Sequence, residues 1–431
     1  MKKFLFLLVV ALLALCCVSP YLAYADEVPS GAITEDAEIQ QFVKQLSELN
    51  AQANAAKTDE DKELKKQETR SYLMGQFRSV LGEPTDVQPQ DSNVYEDYFT
   101  YQNTPYWNIV AKLNKADTTK QIIIGAHYDA LSGEGAADNV TGVAALYHAM
   151  KQLVSADIPF NVIFVAFDGE EKGMLGSYHF VDGDRKGNGG MSAEDKSNTL
   201  VMFNIDSIAL GDNLYLMCEN KRTDLAKLIV ANSQGIVEKP YAVGTYGYSL
   251  EGMFGFGYGY YERIQGSDHT PFRLSGIPTA FFFSGSYSSS IWKFSDSSNN
   301  SNQVINTPND TFEHLENSGV DYVARIHTVG NAIANTILAG EFVQVAENAR
   351  SQLINLNLWY NGLWPSIAIA VVLVVLAVLT FVYNRKLQKK AILGTAEIKS
   401  QKIFETPSAE EIFSFDEPNK PDAEDIFTFK K

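Results

Sequence analysis

Three short apolar runs, "QIIIGAH" at 121–127, "NVIFVAF" at 161–167 and "TLVMFNI" at 199–205, each end on or just before a group that ionises. That arrangement limits the possible folds more than any other feature of the chain. Uninterrupted apolar stretches of this length suit strands buried on both faces. Between 105 and 340 they alternate with segments of helical spacing, from about Val140 to Val154, Thr223 to Gln234 and Ser318 to Leu338. Further strands are expected at "WNIVAKL", "NLYLMCE" and "IPTAFFFS". The pattern predicts the α/β class, with a mostly parallel central sheet covered by helices on both sides.

In such a sheet the loops at the carboxyl ends of the strands converge on one crevice. His127 and Asp129 follow the first run, Asp168, Glu170 and Glu171 the second, and Asp206 the third. Asp138 sits in "EGAADNVTG", the loop that opens the next helix. Each residue has an ordinary explanation. His127 could be a core histidine, Asp138 a helix cap, Asp206 a strand cap, and Glu170 with Glu171 a solvated turn. Taken together they are harder to dismiss, because carboxylates crowded into one crevice must raise their pKa values or bind a cation. One imidazole among carboxylates suits zinc, with cobalt or manganese as alternatives. Asp129, two residues past His127, is placed to orient the imidazole from behind.

The flanks have separate roles. Residues 1–25 read as a secretory signal peptide, and 26–100 as a helical N-terminal flank built on "EIQQFVKQLSELNAQ" and "DKELKKQETRSYLMGQFRSVL". Residues 346–363 are expected to be a juxtamembrane segment and 364–384 a transmembrane helix. Arg385, Lys386, Lys389 and Lys390 then place the tail, 385–431, in the cytoplasm and the rest outside a cell membrane crossed once. Removing the signal peptide leaves Cys218 alone, which excludes an internal disulfide and fits a bacterial surface protein. A net charge of -17 argues against nucleic acid as a partner. The tail repeats an acid-acid-Ile-Phe motif in "AEEIFSFDEP" and "AEDIFTFKK", a candidate docking element for a cytoplasmic partner. The loop "YGYSLEGMFGFGYGYYER" offers Tyr246, Phe254 and Tyr258 as candidate substrate-binding residues on a cleft rim.

The blocks "GAHYDA", "GAADNVTGVAAL", "FDGEEKGMLGS", "NID", "GSDHTPFRLSGIPTAFF" and "NTPNDT" resemble, in order and spacing, the motifs of metallopeptidase family twenty-eight. These are the clan MH zinc aminopeptidases and their glutaminyl cyclase relatives. The resemblance implies a phosphorylase/hydrolase-like α/β/α sandwich over a zinc peptidase domain, 101–345, that binds two zinc ions and hydrolyses peptides. By position, His127 and Asp206 resemble ligands of the first metal, Asp138 the bridging carboxylate and Glu171 a ligand of the second. Glu170 resembles the general base that takes the proton from the attacking water. Asp268 and His269 fall where the family has polar groups beside the site. The chain departs from the pattern at Asn306, where the family has a histidine ligand. A neutral amide is a weak ligand, so the second zinc is expected to be held less firmly than the first, with His314 a substitute donor eight residues on. The resemblance points to an aminopeptidase. A receptor ectodomain with reduced catalysis and a glutaminyl cyclase are the other readings. Retention of Glu170 weighs against the receptor, and loss of the histidine weighs against the cyclase.

Overall fold

The computed structural model describes residues 34–84, 91–115, 118–184, 189–211, 213–218, 224–238, 266–285, 304–358 and 364–404. The expected signal peptide, the rim residues Tyr246, Phe254 and Tyr258, and the duplicated tail motif lie outside the described residues. The chain divides into a body ending at Asn357 and a second unit from Leu358.

Eight strands form one sheet in the order β1-β2-β4-β3-β5-β8-β6-β7. Its centre comprises β4 (Asn161–Phe167), β3 (Gln121–His127), β5 (Thr199–Ile205) and β8 (Thr279–Gly285), all parallel. Strands β1 (Val94–Tyr101) and β2 (Thr104–Leu113) add an antiparallel hairpin at one edge. At the other edge β6 (Asn213–Cys218) runs antiparallel to β8 and carries β7 (Ile236–Glu238). The sheet is therefore mixed, with the parallel part in the middle where it is covered on both faces.

Side chains alternate across the sheet. Ile122 and Ile124 join the larger core with helices α1 (Glu35–Ala55), α2 (Asp59–Leu81), α3 (Thr141–Leu153) and α9 (Tyr322–Leu338). Ile123 points the other way, into a core closed by Val181 of α4 (Leu175–Asp182) and Phe272 of α7 (His269–Leu274). This gives three layers, α/β/α, with α5 (Ala193–Asn198) leading into β5 and α6 (Asp224–Ala231) packed beside β6.

The N-terminal helices are part of the body. The Thr34 hydroxyl accepts the Ala37 N–H to start α1, and Ile39, Phe42, Val43 and Leu46 recur at the spacing that buries one face. Val94–Tyr101, which the sequence reading left in the helical flank, is β1. Its mixed aromatic and acidic residues, mostly half-buried or exposed, suit an edge strand. The expected juxtamembrane segment is mostly helix α10 (Phe342–Leu358), whose Phe342, Ala346, Ala349 and Leu353 bury one stripe in the core. Cys218 is buried.

The second unit is helix α11 (Trp364–Phe404). Its stretch Ser366–Leu393, whose most apolar 18-residue window has a mean hydropathy of 2.8 and is not buried, is a candidate membrane span.

Candidate metal centre

The carboxyl ends of β3, β4 and β5 open on one crevice, and the side chains singled out in the sequence gather there. His127 is the last residue of β3 and is 1% exposed. The loop after it is held by α1: Asn50 Nδ2 donates to the Tyr128 and Glu134 carbonyls at 3.1 and 3.3 Å, and Asn54 Nδ2 to the Gly133 carbonyl at 3.0 Å. Gly135 then turns the chain with φ 61°, where a Cβ would stand 2.5 Å from Ala130 Cβ and 2.7 Å from the Asp138 carbonyl. Only glycine fits there, and the turn delivers Asp138 to the crevice.

His127 Nε2 lies 3.2 Å from Asp138 Oδ1 and 3.4 Å from Asp206 Oδ1. One ligand atom from each of the three is within 4.8 Å of the others. The second imidazole nitrogen, Nδ1, is 3.1 Å from the Asp129 carbonyl. A proton on Nδ1 donates to that oxygen and leaves the Nε2 lone pair facing the two carboxylates. Burial pushes Asp206 upward, but the adjacent His127 outweighs it and holds the carboxyl at about 2. For His127 burial acts downward, and Asp206, Asp129 and Asp138 together hold its pKa well above the usual histidine range. Asp138 does not cap α3 with its side chain, so its ordinary role as a helix cap does not apply.

Beyond β4, Gly169 adopts a left-handed conformation and a single helical turn, Glu170–Lys172, presents the two glutamates. Burial raises Glu170 well above the ordinary carboxyl range, and the negative charges of Asp206, Asp268 and Asp129 add to the effect. Glu171 is pushed up to about 8, by burial first and then by Asp138. The Asp129 carboxylate was expected to orient His127. It stands 3.6 Å from Nδ1 and instead accepts the backbone N–H groups of Glu170 and Glu171. Asp168, at the end of β4, accepts the Trp107 N–H at 3.0 Å and braces β2 against the same turn.

Asp268 is fully buried and its side chain caps no helix. Both of its carboxylate oxygens are without a hydrogen-bond partner among the described residues. Burial raises it to about 7. His269 stacks on Phe281 with ring centroids 4.5 Å apart, and burial lowers it to about 4, so it is neutral at physiological pH.

Asn306 reaches the site. With its amide nitrogen turned toward Glu171, it donates to Oε1 at 2.6 Å and Oε2 at 2.7 Å. His314 does not join the group around His127. It lies on α8 (Phe312–Asn317), where Thr311 caps the helix and the His314 Nε2 is buried without a hydrogen-bond partner among the described residues.

The sequence reading passed over Asp310. Its carboxylate accepts the Ala137 and Asp138 N–H groups at 2.7 and 3.0 Å, and so holds the Asp138 loop from the far side. Its place in "NTPNDT" is the available signal. Asn139, next to Asp138 in "GAADNVTG", is a second support that spacing does not mark. Its amide donates to the Ile205 carbonyl at 2.8 Å and accepts the Ser207 N–H at 3.1 Å, tying the loop to the end of β5.

Comparison with known proteins adds the following. The model of "Peptidase family M28" matches residues 108–329. The alkaline phosphatase isozyme conversion protein of Escherichia coli (strain K12) is 26% identical over 208 residues, 40% of this chain and 57% of that protein. Aminopeptidase YwaD of Bacillus subtilis (strain 168) is 26% identical over 201 residues, 45% of this chain and 36% of that protein. The chain thus spans 57% and 36% of the lengths of these two relatives. Among solved structures, a zinc aminopeptidase from Bacillus subtilis overlaps 55% of this chain and 50% of its own at 22% identity and a TM-score of 0.39. LapB from Legionella pneumophila overlaps 70% and 71% at 16% identity and a TM-score of 0.48.

Proposed function

The chain belongs to peptidase family M28, and from that premise we propose that it is a membrane-anchored, zinc-dependent aminopeptidase acting on peptides outside the cell. The observation that carries this reading is the meeting of His127 with Asp138 and Asp206 beside a half-buried Glu170 whose pKa is raised.

The donor set fits zinc. One imidazole has its free nitrogen directed at two carboxylates while its other nitrogen is fixed by the Asp129 carbonyl. His127, Asp138 and Asp206 would hold the ion. When bound there, zinc supplies Lewis acidity, polarising the scissile carbonyl and bringing the pKa of water toward about 7. Glu170 in its carboxylate form accepts the proton of the attacking water and returns it to the leaving amine, and a pKa raised by burial makes that carboxylate a stronger base. Asp129 keeps Glu170 in place through the backbone, and Asp310 does the same for Asp138. The crowded carboxylates give the crevice a negative field that attracts the free α-ammonium group of a peptide.

Asn306 bears on how many metals are held. An amide that donates to both Glu171 oxygens competes with a cation for that carboxylate. We infer one firmly held zinc and a second, weaker position at Asp138 and Glu171, for which cobalt or manganese can substitute.

The orientation rests on charge. Arg385, Lys386, Lys389 and Lys390 follow the apolar part of α11, so the positive-inside rule assigns them to the cytoplasm and the body to the exterior. The duplicated tail motif would then meet a cytoplasmic partner.

The test is hydrolysis of a panel of aminoacyl fluorophores by the full chain in detergent, with and without a chelator. Release from unblocked but not N-acetylated substrates, abolished by chelation and restored by zinc, is the expected result. No hydrolysis of any member with zinc present would overturn the reading.

A further inference from the structure

At the start of α1, away from the strand ends, a second cluster of nitrogen and carboxylate donors joins three helices. Glu35 of α1, His148 of α3 and His327 of α9 each place one ligand atom within 4.8 Å of the others. His148 is 1% exposed. Gly330 of α9 makes room for its ring, since a Cβ there would stand 2.6 Å from His148 Cδ2. The two imidazoles meet edge to face, with centroids 4.5 Å apart.

Hydrogen bonding leaves one nitrogen of each ring as an acceptor. His148 Nε2 lies 2.9 Å from Asn331 Oδ1, which can only accept, so the proton belongs on Nε2 and the lone pair on Nδ1. That Nδ1 is buried without a hydrogen bond, 3.3 Å from Glu35 Oε1. Among the described residues two acceptors thus face each other. His327 Nε2 donates to Asp36 Oδ1 at 2.9 Å, which leaves its Nδ1 unprotonated, 3.4 Å from His148 Nε2. Histidines that bind metal commonly give their other ring N–H to a carboxylate or carbonyl, as Asp36 and Asn331 provide here. Lys151 does not resolve the conflict, because it pairs with Glu38 at 2.7 Å and is 4.0 Å from Glu35.

We propose that Glu35, His148 and His327 form a second, non-catalytic site for a divalent transition metal, zinc foremost, that clamps the first turn of α1 to α3 and α9. Two imidazoles and a carboxylate are ordinary zinc donors, with water completing the coordination. A proton on His148 is the competing way to separate the acceptors. The clamp has a structural purpose, since the same helix carries Asn50 and Asn54, about 22 and about 28 Å further along at 1.5 Å per residue, which hold the loop after His127.

The test is metal content of the full chain, loaded with zinc, dialysed and measured by mass spectrometry. His327→Gln is expected to retain one zinc fewer per chain than the wild type while keeping hydrolysis. Asp206→Asn should lose the catalytic ion and keep this one. Glu35→Gln alters an exposed side chain and repeats the test if the histidine variant does not fold. Loading with Cu(II) and reading nitrogen hyperfine coupling by electron paramagnetic resonance should show two nitrogen ligands in Asp206→Asn, reduced to one by adding His327→Gln. Zinc contents equal in the wild type, His327→Gln and Glu35→Gln would overturn the proposal and leave protonation of His148 as the link.

Discussion

The Asp129 carboxylate accepts the backbone N–H of Glu170 at 3.0 Å, while the carbonyl of the same residue lies 3.1 Å from His127 Nδ1. One residue therefore sets both the imidazole that faces the proposed metal position and the turn that carries the proposed base. Asp129→Ala should leave the His127 contact, which uses the backbone, and release the glutamate turn. Hydrolysis is expected to fall about 10- to 100-fold, the range typical of residues that support a metal centre. Zinc retained after dialysis should change less than activity does. Full activity in this variant, measured as kcat/KM, would remove Asp129 from the positioning role.

Glu170→Gln preserves shape but cannot accept a proton. Turnover should drop at least about a hundredfold with zinc content unchanged. Wild-type turnover would sink the assigned mechanism.

Asn306→His exchanges a donor that engages Glu171 for an imidazole. The expected gain is about one additional zinc per chain surviving dialysis, with the reverse variant at His314, His314→Ala, having no effect because that side chain is apart from the group around His127. Identical zinc content in Asn306→His and the wild type would show that the amide does not weaken the second position.

Without metal, the crowded acids should make the protein sensitive to alkali. Burial is the largest cause in raising Glu171 from 4.5 to about 8, and Asp268 and Asp310 from 3.8 to about 7. Between the unfolded and folded values the native state binds more protons than the unfolded chain, so stability is present at low pH and is lost as pH rises through the folded values. His127, with its raised pKa, works in the same direction. The chelated full chain is expected to melt a few degrees higher at about pH 6.5 than at about pH 8.5. With zinc present the order should reverse, because the ligands must be deprotonated to bind. Scanning fluorimetry at both pH values checks this, and a chelated protein that melts higher at the alkaline pH would contradict it.

Topology gives a further expectation. Protease treatment of intact cells should remove the body and spare an epitope attached at Lys431, since the basic residues after Tyr383 belong inside. Loss of both would reject the orientation.

The class of fold and the residues of the crevice were legible in the sequence for a definite reason. Strands buried on both faces are continuously apolar, so the first ionisable residue after each run marks a strand end, and in a parallel sheet those ends converge. His127 and Asp206 were found in this way and Asp138 in the loop that opens the next helix, and the resemblance separated the roles of Glu170 and Glu171. Strand β1 was less legible, because an edge strand that mixes tyrosines with acids carries no continuous apolar run. The packing of α1 and α10 into the body was also hidden, since an amphipathic stripe tells that a helix buries one face but not against what.

Tertiary structure alone decided which groups support the centre. Asp129 meets the Glu170 turn across 41 positions of sequence, Asp310 meets the Asp138 loop across 172, and Glu35 meets a histidine pair carried by α3 and α9. These partners are hydrogen-bonding groups whose identity imposes no local periodicity. Their meaning depends on distance and direction in the folded chain, which sequence spacing does not encode.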